Sequence, residues 1–362
     1  MRQLKPAVIE QRKRHLLQWI VHYYIKTSKA VSSGLIAEEA GLDLSSATIR
    51  SILQELEEEG YLAQPHTSAG REPTDRGYRF FVDYLSDVQR LAVSEKERIE
   101  EQYDQRISEL DGLLTETSRL LSRVSHSAGI VLSPQMKKQT IKRLELIPLG
   151  GRNVLGILVT DSGIVRHWPI QLGFQPAARQ LTLLNNFLNA EIHGIPVDRA
   201  TAIVMGKLGQ MEKEFQEMAG LAGELLREVS QVTSPGGLYV EGTDNILSQA
   251  DQFGDLATVQ SLMRMIGEKD RLAGVLTREI NEAKNDKLPS RVRVRIGEEA
   301  GLPELKSASL VTHVYRHNER VVGVLGILGS KRMEYSRMMG LVDYVGRLVE
   351  SRLQDWDEED GK

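Results

Sequence analysis

The apolar residues of this 362-residue chain change their spacing at Gly129, and that change limits the folds open to it. Before Gly129 they recur mainly every three or four positions, which indicates helices. After Gly129, six segments have the two-residue period of strands and are bounded by turn-forming residues. These segments are 141–149, 154–160, 164–170, 291–296, 309–315 and 321–328. The chain is therefore predicted to be a multidomain α+β protein.

A capped amphipathic helix is predicted from Ser45 to Gly60. Ser45 is a good N-cap, and Gly60 supplies the stop. Its apolar stripe consists of Ile49, Ile52, Leu53 and Leu56. The exposed face has short or hydrogen-bonding side chains and one arginine, which favours a recognition helix that enters the DNA major groove. The predicted DNA-contacting residues on this helix are Ser46, Ala47, Thr48, Arg50, Ser51 and Gln54.

A short β-ribbon is predicted to follow this helix, with residues 61–63 paired to residues 71–73. The tip between them is polar and ends in glycine, which is typical of a wing that lies along the phosphate backbone. Thr74 is predicted to cap the next helix. The wing residues predicted to contact DNA are His66, Thr67, Ser68, Gly70 and Arg71.

The first ninety residues are predicted to form a winged helix-turn-helix domain. Its first helix spans Pro6 to Lys26, and a short second helix is predicted after a cap at Ser33. Residues 1–90 contain equal numbers of basic and acidic residues, so binding to DNA requires that the two be segregated. The basic cluster expected to face the DNA backbone consists of Arg12, Lys13 and Arg14.

The segment 91–127 is predicted to be a connector helix. Its apolar residues are spaced close to a heptad seam from Ile99 to Val124. Two interpretations are open: the helix lies on its own domain, or it also pairs across a dimer and holds two DNA-binding heads in register.

The remaining strands are predicted to form one antiparallel sheet domain that is interrupted by an insertion. Its two parts are 128–194 and 286–357, and the insertion at 195–285 is predicted to be mostly helical because it lacks a two-residue period. Residues 358–362 form an acidic tail.

Three motifs carry a resemblance to a known family. GYLAQPHTSAGR-x-PT-x-x-GYRFFVDYL at 60–85, VRIGEE at 294–299 and KRMEYSRMMGLVDYV at 331–345 resemble the heat-inducible transcription repressor family, HrcA. The resemblance implies a GAF-like domain with an inserted dimerising domain, which we expect at 195–285. It also implies a homodimeric repressor of heat-shock chaperone operons that binds an inverted-repeat operator in double-stranded DNA. A GroEL-type chaperonin would modulate its activity. Glu72 and Ser330 depart from the apolar residue and the proline expected at those positions.

Composition and motifs argue against catalysis, bound cofactors and metal sites. The chain has no cysteine, which excludes disulfides and zinc fingers, and it has none of the common hydrolase or nucleotide-binding motifs. The glycines at 323, 326 and 329 lie within a predicted strand, and His313 and His317 do not share a face as helical zinc ligands do. We therefore expect no enzyme activity, no cofactor and no metal.

The predicted location is the cytoplasm, without contact to a membrane. The first residues, MRQLKPAVIEQRKR, have no apolar signal core, and no apolar segment approaches the roughly 20 residues that span a bilayer. The net charge of −4 also argues against a binder driven by charge alone.

Two alternatives to a chaperonin-modulated repressor are kept. One is a winged-helix transcription regulator that is gated by a small-molecule ligand in the GAF-like domain. The other is a structural interaction protein that uses the helix in 94–126 for assembly.

Overall fold

The computed structural model describes most of the chain as helices and antiparallel sheets. The described residues are 6–41, 44–65, 70–85, 96–97, 99–100, 110–134, 139–173, 175–208, 237–285 and 291–359. The predicted α+β class is confirmed at this level, since every strand pair in these ranges is antiparallel.

The N-terminal part consists of four helices and a two-stranded ribbon around a small apolar core. Its buried residues come from all four helices and include Leu16, Ile36, Leu53 and Tyr78. The elements are α1 (Pro6–Thr27), α2 (Ser33–Glu39), α3 (Ser46–Glu58), β1 (Leu62–Ala63), β2 (Glu72–Pro73) and α4 (Asp75–Tyr84).

The caps of these helices follow the sequence with one exception. Ser45 caps α3 and Thr74 caps α4, each through its side-chain oxygen, as predicted. The cap of α2 is Ser32, whose hydroxyl accepts the Leu35 N–H, and not Ser33. Both serines are good caps, so composition alone does not choose between them.

A five-stranded sheet forms the centre of the second half of the chain. Its strand order is β7-β3-β10-β9-β8, so β10 lies in the middle. The strands are β3 (Ala128–Leu132), β7 (Leu238–Glu241), β8 (Val292–Ile296), β9 (Ala308–His317) and β10 (Arg320–Ser330).

Helices cover both faces of this sheet. Along β10, Leu325 and Ile327 belong to one apolar core, while Val324 and Leu328 belong to the other. This alternation is the two-residue period that predicted the strand. The first core contains α5 (Leu110–Ser125) and α11 (Tyr335–Glu359), and the second contains α8 (Thr243–Ser248), α9 (Leu256–Gly267) and α10 (Lys269–Asn285).

The strands predicted at 141–170 form a separate sheet of three strands in the order β4-β5-β6. Helices α6 and α7 pack with them, and we call these five elements the small unit. Their bounds are β4 (Ile141–Gly150), β5 (Asn153–Thr160), β6 (Val165–Gln171), α6 (Ala178–Ile192) and α7 (Val197–Leu208). The prediction that these three strands share one sheet with the strands of 291–328 is therefore wrong, although β3 of the same predicted part does pair with β10.

The insertion that separates the two parts of the large sheet also has different bounds from those predicted. β7 belongs to the large sheet, where Gly129 and Leu132 of β3 pair with Glu241 and Leu238. The described residues of 195–285 are mostly helical, as predicted, but the strand β7 was missed, and the small unit begins soon after β3. A strand of four residues is too short to show a period, which explains the error.

The apolar seam of the connector packs within its own chain. Ile99 is fully buried, and α5 lies against β3 with Leu114 and Leu121 buried. This arrangement supports the first of the two interpretations for the described part of the segment. Residues 101–109 of the predicted seam lie outside the described residues.

The glycines of β10 serve close packing between strands. A Cβ atom at Gly323 would collide with the Tyr315 hydroxyl, and one at Gly326 with the Val311 carbonyl of β9. At both positions the closest atoms belong to the adjacent strand β9.

Candidate nucleic-acid interface

The orientation of α3 is fixed by its buried stripe. Ile49, Ile52, Leu53 and Leu56 are each at most 3% exposed, as their spacing predicted. At the N-terminus, the Ser45 Oγ accepts the Thr48 N–H at 3.2 Å. The first turn of α3 therefore has a satisfied cap and the positive end of its helix dipole near solvent.

The opposite face of α3 carries all six residues predicted to contact DNA, and all six are exposed. They are Ser46, Ala47, Thr48, Arg50, Ser51 and Gln54. Small side chains at its N-terminal end allow close approach to the groove floor, while the arginine and glutamine can donate to base edges.

Two of these side chains are held by neighbours. The Arg50 Nε donates to the Ser33 Oγ at 3.4 Å, and the Gln54 Nε2 donates to the Glu58 Oε1 at 2.9 Å. Sequence reasoning missed the role of Ser33 because it assigned this residue to the cap of α2. The signal was the pair Ser32-Ser33, in which one serine caps the helix and leaves the other hydroxyl available.

The ribbon is joined to the helices by a third extended segment. Val31 and Arg71 exchange backbone hydrogen bonds of 2.8 Å each. A Cβ atom at Gly70 would lie 2.7 Å from the backbone of Ala30 and Val31, so only glycine fits there. His66, Thr67 and Ser68, which were predicted to lie at the tip of the wing, are outside the described residues.

Arg71 is tied to α3. Its Nε donates to the Glu57 Oε2 at 2.9 Å, and its side chain is 22% exposed. A contact between Arg71 and a phosphate would have to replace this ion pair.

The basic cluster of α1 is divided between the inside and the outside of the domain. Arg14 is exposed and Arg12 is half-buried, but Lys13 is only 7% exposed. The Lys13 Nζ pairs with Glu59 and lies 3.5 Å from the Glu55 Oε2. The prediction that Lys13 faces DNA is therefore wrong, because successive residues on a helix point about 100° apart.

This buried ion pair also affects the titration of Lys13. Burial acts to lower the pKa of the Lys13 ammonium, but the hydrogen bond and charge of Glu59, together with Glu55, outweigh it and raise the pKa. Lys13 therefore stays charged and links α1 to the C-terminal end of α3.

Glu72 has a specific partner where the family pattern led us to expect an apolar residue. The Tyr24 hydroxyl donates to the Glu72 Oε2 at 2.8 Å. Burial and this hydrogen bond raise the pKa of Tyr24 to about 12. The second departure, Ser330, is buried and donates to the Gln252 Oε1 at 2.9 Å.

The histidines of β9 have an environment that the sequence did not show. His313 is fully buried, with its Nδ1 3.6 Å from the Asp343 Oδ1 and its Nε2 3.9 Å from the Glu350 Oε1, both on α11. Both carboxylates are about thirty residues or more away in the sequence, so spacing within the motif did not show them. Within the described ranges no three His, Asp or Glu side chains are grouped as metal ligands.

A cavity of about 450 Å³ opens at the edge of the large sheet. It lies beside β7 and the start of α10, and its lining includes Tyr239, Glu241, Lys269 and Ala273. It is at the sheet edge and open to solvent, whereas the ligand-gated alternative places its ligand inside the GAF-like domain. As for membranes, each helix in the described part of the chain is too short or too polar to cross a bilayer.

Comparison with known proteins gives the family. A family model described as the HrcA protein C-terminal domain matches residues 111–339. The heat-inducible transcription repressor HrcA of Geobacter sulfurreducens is 36% identical over 346 residues, which cover 96% of this chain and 98% of the relative. The repressor of the same name from Symbiobacterium thermophilum is 33% identical over 341 residues, covering 93% and 97%.

A solved structure has the same fold. The crystal structure of a hypothetical protein at 2.2 Å superposes with a TM-score of 0.62 at 24% identity, and the match covers 98% of this chain and 99% of the other. The sequence matches run through both the helical N-terminal part and the two sheets. This chain therefore belongs to the HrcA family of heat-inducible transcription repressors.

Proposed function

We propose that this chain is a sequence-specific repressor of heat-shock chaperone operons that binds an inverted-repeat operator as a homodimer. The observation that carries the proposal is the exposed face of α3. It presents small residues, Arg50 and Gln54 on a helix whose other face is buried. Helix α2, helix α3 and the β1–β2 ribbon have the order and lengths of a winged helix-turn-helix domain, in which the second of these helices enters the major groove.

The family relationship supports the regulatory part of the proposal. The relatives are named heat-inducible transcription repressors. A central antiparallel sheet with helices on both faces agrees with a GAF-like domain. Modulation by a GroEL-type chaperonin is proposed from the resemblance alone.

The small unit, residues 141–208, is our candidate for the dimerising domain, in place of the bounds 195–285 that the sequence suggested. Among the large apolar side chains exposed in the described residues, three belong to it: Ile147 at 39%, Leu149 at 56% and Leu183 at 48%. A contiguous patch of exposed apolar side chains marks an interaction surface, and on that ground we place the second subunit here. A two-fold dimer would match the symmetry of an inverted repeat.

The dimer is tested by Leu149→Glu. Analytical ultracentrifugation should show the wild type as a dimer and this variant shifted towards monomer. Leu247→Glu is the matched control, because Leu247 is 54% exposed on α8, outside the small unit. Equal effects of both changes, or none of Leu149→Glu, would contradict this assignment of the interface.

The DNA function is tested by fluorescence anisotropy at about 150 mM salt, because non-specific affinity dominates at low salt. The probes are an inverted-repeat duplex, selected by the protein from a random library, and a scrambled duplex. We expect a preference of roughly a thousandfold that is lost when one half-site is reversed. Equal weak binding to both duplexes, persisting with added chaperonin, would overturn the proposal.

A second candidate is a regulator gated by a small-molecule ligand, for which the cavity beside β7 offers an open site at the sheet edge. A ligand at 100 times its dissociation constant would add about 2.7 kcal/mol of stability, so a thermal-shift screen with a metabolite panel tests it. A stabilising ligand that also changes operator affinity would support gating.

A further inference from the structure

The three sequence motifs of this chain meet at one contact. Tyr78 and Arg79 of α4 belong to the first motif, and Asp75 occupies one of its variable positions. Glu299 and Lys331 belong to the second and third motifs. We call this contact the head–core junction. It joins the N-terminal helices to the large sheet across more than two hundred residues of sequence.

The first half of the head–core junction is an ion pair with two hydrogen bonds in parallel. The Arg79 Nε donates to the Glu299 Oε1 at 2.8 Å, and its Nη2 donates to the other carboxylate oxygen. The same Nη2 donates to the Val294 carbonyl at 2.6 Å. The Glu299 carboxylate also accepts the Ile296 N–H at 3.0 Å, so it is held from both sides. Such forked pairs fix an angle as well as a distance.

The second half holds the N-terminal end of α4. Asp75 pairs with Lys331 through one carboxylate oxygen and accepts the Glu298 N–H at 3.3 Å through the other. Gly297 is in the left-handed region at φ 53°, and a Cβ atom there would collide with the Asp75 carboxylate. The Asp75 side chain therefore fits into a turn that glycine shapes.

An aromatic contact closes the space between these two ion pairs. The Tyr78 and Tyr335 rings are 6.3 Å apart, and both residues are at most 3% exposed. The Tyr335 hydroxyl donates to the Lys331 carbonyl at 2.8 Å. The junction is thus a packed interface and not a set of surface ion pairs.

The same end of α4 is rigidly attached to the end of α3. The Thr74 Oγ1 donates to the Gly60 carbonyl at 2.6 Å, and the Arg76 Nη1 donates to the Glu59 carbonyl at 2.7 Å. A Cβ atom at Gly77 would collide with the Tyr61 carbonyl, so α4 and the chain after α3 are in direct contact. A rotation of α4 on the core would therefore carry α3 with it.

We infer that the head–core junction is a rigid joint that sets the distance and angle between the two α3 helices of the dimer. Asp75, Arg79, Glu299 and Lys331 then determine which spacing between operator half-sites is accepted. A rigid connection gives a high effective concentration of the second head at one spacing, whereas a loose one accepts many spacings weakly. This inference rests on the proposed DNA-binding function and adds the origin of spacing selectivity.

The test uses the full chain and a charge exchange. The variants are Arg79→Glu, Glu299→Arg, the double variant, and Lys331→Met as a milder change. Affinity is measured on three kinds of duplex. They are the selected inverted repeat, the same repeat with its spacer lengthened or shortened by about 5 bp (half a helical turn), and a single half-site.

The expected result is a selective loss. For each single variant, affinity for the native repeat should fall by about tenfold or more, and the difference in affinity between spacers should shrink. Affinity for a single half-site should stay within about twofold of the wild-type value. The double variant restores the ion pair but not the bonds to the Val294 carbonyl and the Ile296 N–H, so it should recover part of the affinity and discrimination, which a variant that fails to fold would not do.

Other outcomes overturn the inference in distinguishable ways. If wild-type protein shows no preference for the inverted repeat, the proposed function fails first. If the wild type has the preference but the single variants keep the same spacer dependence, the joint does not set the spacing. If half-site affinity falls as much as full-site affinity, or if the double variant fails to recover, the junction merely supports folding of the head.

Discussion

The side-chain amide of Asn189 pairs with the backbone of Leu144 as a neighbouring strand would. Its Oδ1 accepts the Leu144 N–H at 2.9 Å, and its Nδ2 donates to the Leu144 carbonyl at 2.6 Å. One helical turn earlier, Asn185 makes the same two bonds with Leu146 at 2.9 and 3.1 Å. Helix α6 therefore closes the outer edge of β4, which would otherwise offer unpaired groups to another chain.

Replacing Asn189 should open this edge. Asn189→Leu leaves the N–H and carbonyl of buried Leu144 without partners, and an unsatisfied buried group costs roughly 1–3 kcal/mol. Hydrogen exchange measured by mass spectrometry on peptides from β4 should accelerate about tenfold or more. Asn186→Leu is the matched control because Asn186 is exposed on the same helix, and it should leave the exchange unchanged. Unaltered exchange in Asn189→Leu would show that the amide ladder is dispensable.

Arg50 is expected to specify one base pair. Arg50→Ala should cost roughly 1–3 kcal/mol on the selected operator and relax the preference at a single position, as expected for a guanidinium paired with guanine. Anisotropy with operators mutated at each position measures this. Arg143→Ala serves as control, since Arg143 is an exposed arginine on β4 of the small unit. An equal loss on all sequences would assign Arg50 to a phosphate.

Lys13 is expected to stabilise the fold without contributing to the charge of the DNA interface. Lys13→Met keeps the apolar stem of the side chain but removes the link to Glu55 and Glu59, so we expect a loss of about 1 kcal/mol in stability. The slope of log affinity against log salt should stay the same. A residue that contacts a phosphate would lower that slope by about 1 when removed, and such a decrease would restore Lys13 to the interface.

Alkaline pH should weaken the attachment of α1 to the ribbon. The pKa of Tyr24 is raised to about 12 by burial and by its hydrogen bond to Glu72. Because the folded-state value lies above the ordinary value of about 10, the stabilisation is complete below pH 10 and is lost between about pH 10 and 12. The difference in tyrosinate absorbance between wild type and Tyr24→Phe isolates this titration.

Glu72→Gln supplies the control for this titration. It keeps the side-chain volume and an acceptor oxygen but removes the negative charge, so the Tyr24 titration should move to lower pH. An unchanged midpoint in this variant would mean that burial alone raises the pKa.

Local features of the fold were predictable from the sequence, while long-range pairing was not. The cap at Ser45, the stripe from Ile49 to Leu56 and the stop at Gly60 depend on neighbours within a few residues, and the structure has them all. The strands of the small unit were also predicted as strands. Their assignment to a sheet failed, because hydrogen-bonding partners in a sheet leave no mark on the period of a single strand.

The candidate site shows the same division. The exposed face of α3 followed directly from the position of its apolar stripe. The pairing of Lys13 with Glu59, and of Arg71 with Glu57, depended on how two elements meet. A run of basic residues shows how much charge a segment carries but not which way each side chain points. The number of basic side chains that face outward was therefore overestimated.

The position of β3 in the large sheet has a consequence for the order in which the protein can form. Ala128–Leu132 leaves the ribosome long before either of its neighbours, Leu238–Glu241 and Arg320–Ser330, has been made. At about 5–20 residues per second, the later neighbour follows on the order of ten seconds or more afterwards. The hairpins β4–β5 and β5–β6 need no distant partner and can form during that interval. The nascent chain thus carries a fully apolar strand, with both edges open, beside a small unit that is already able to fold.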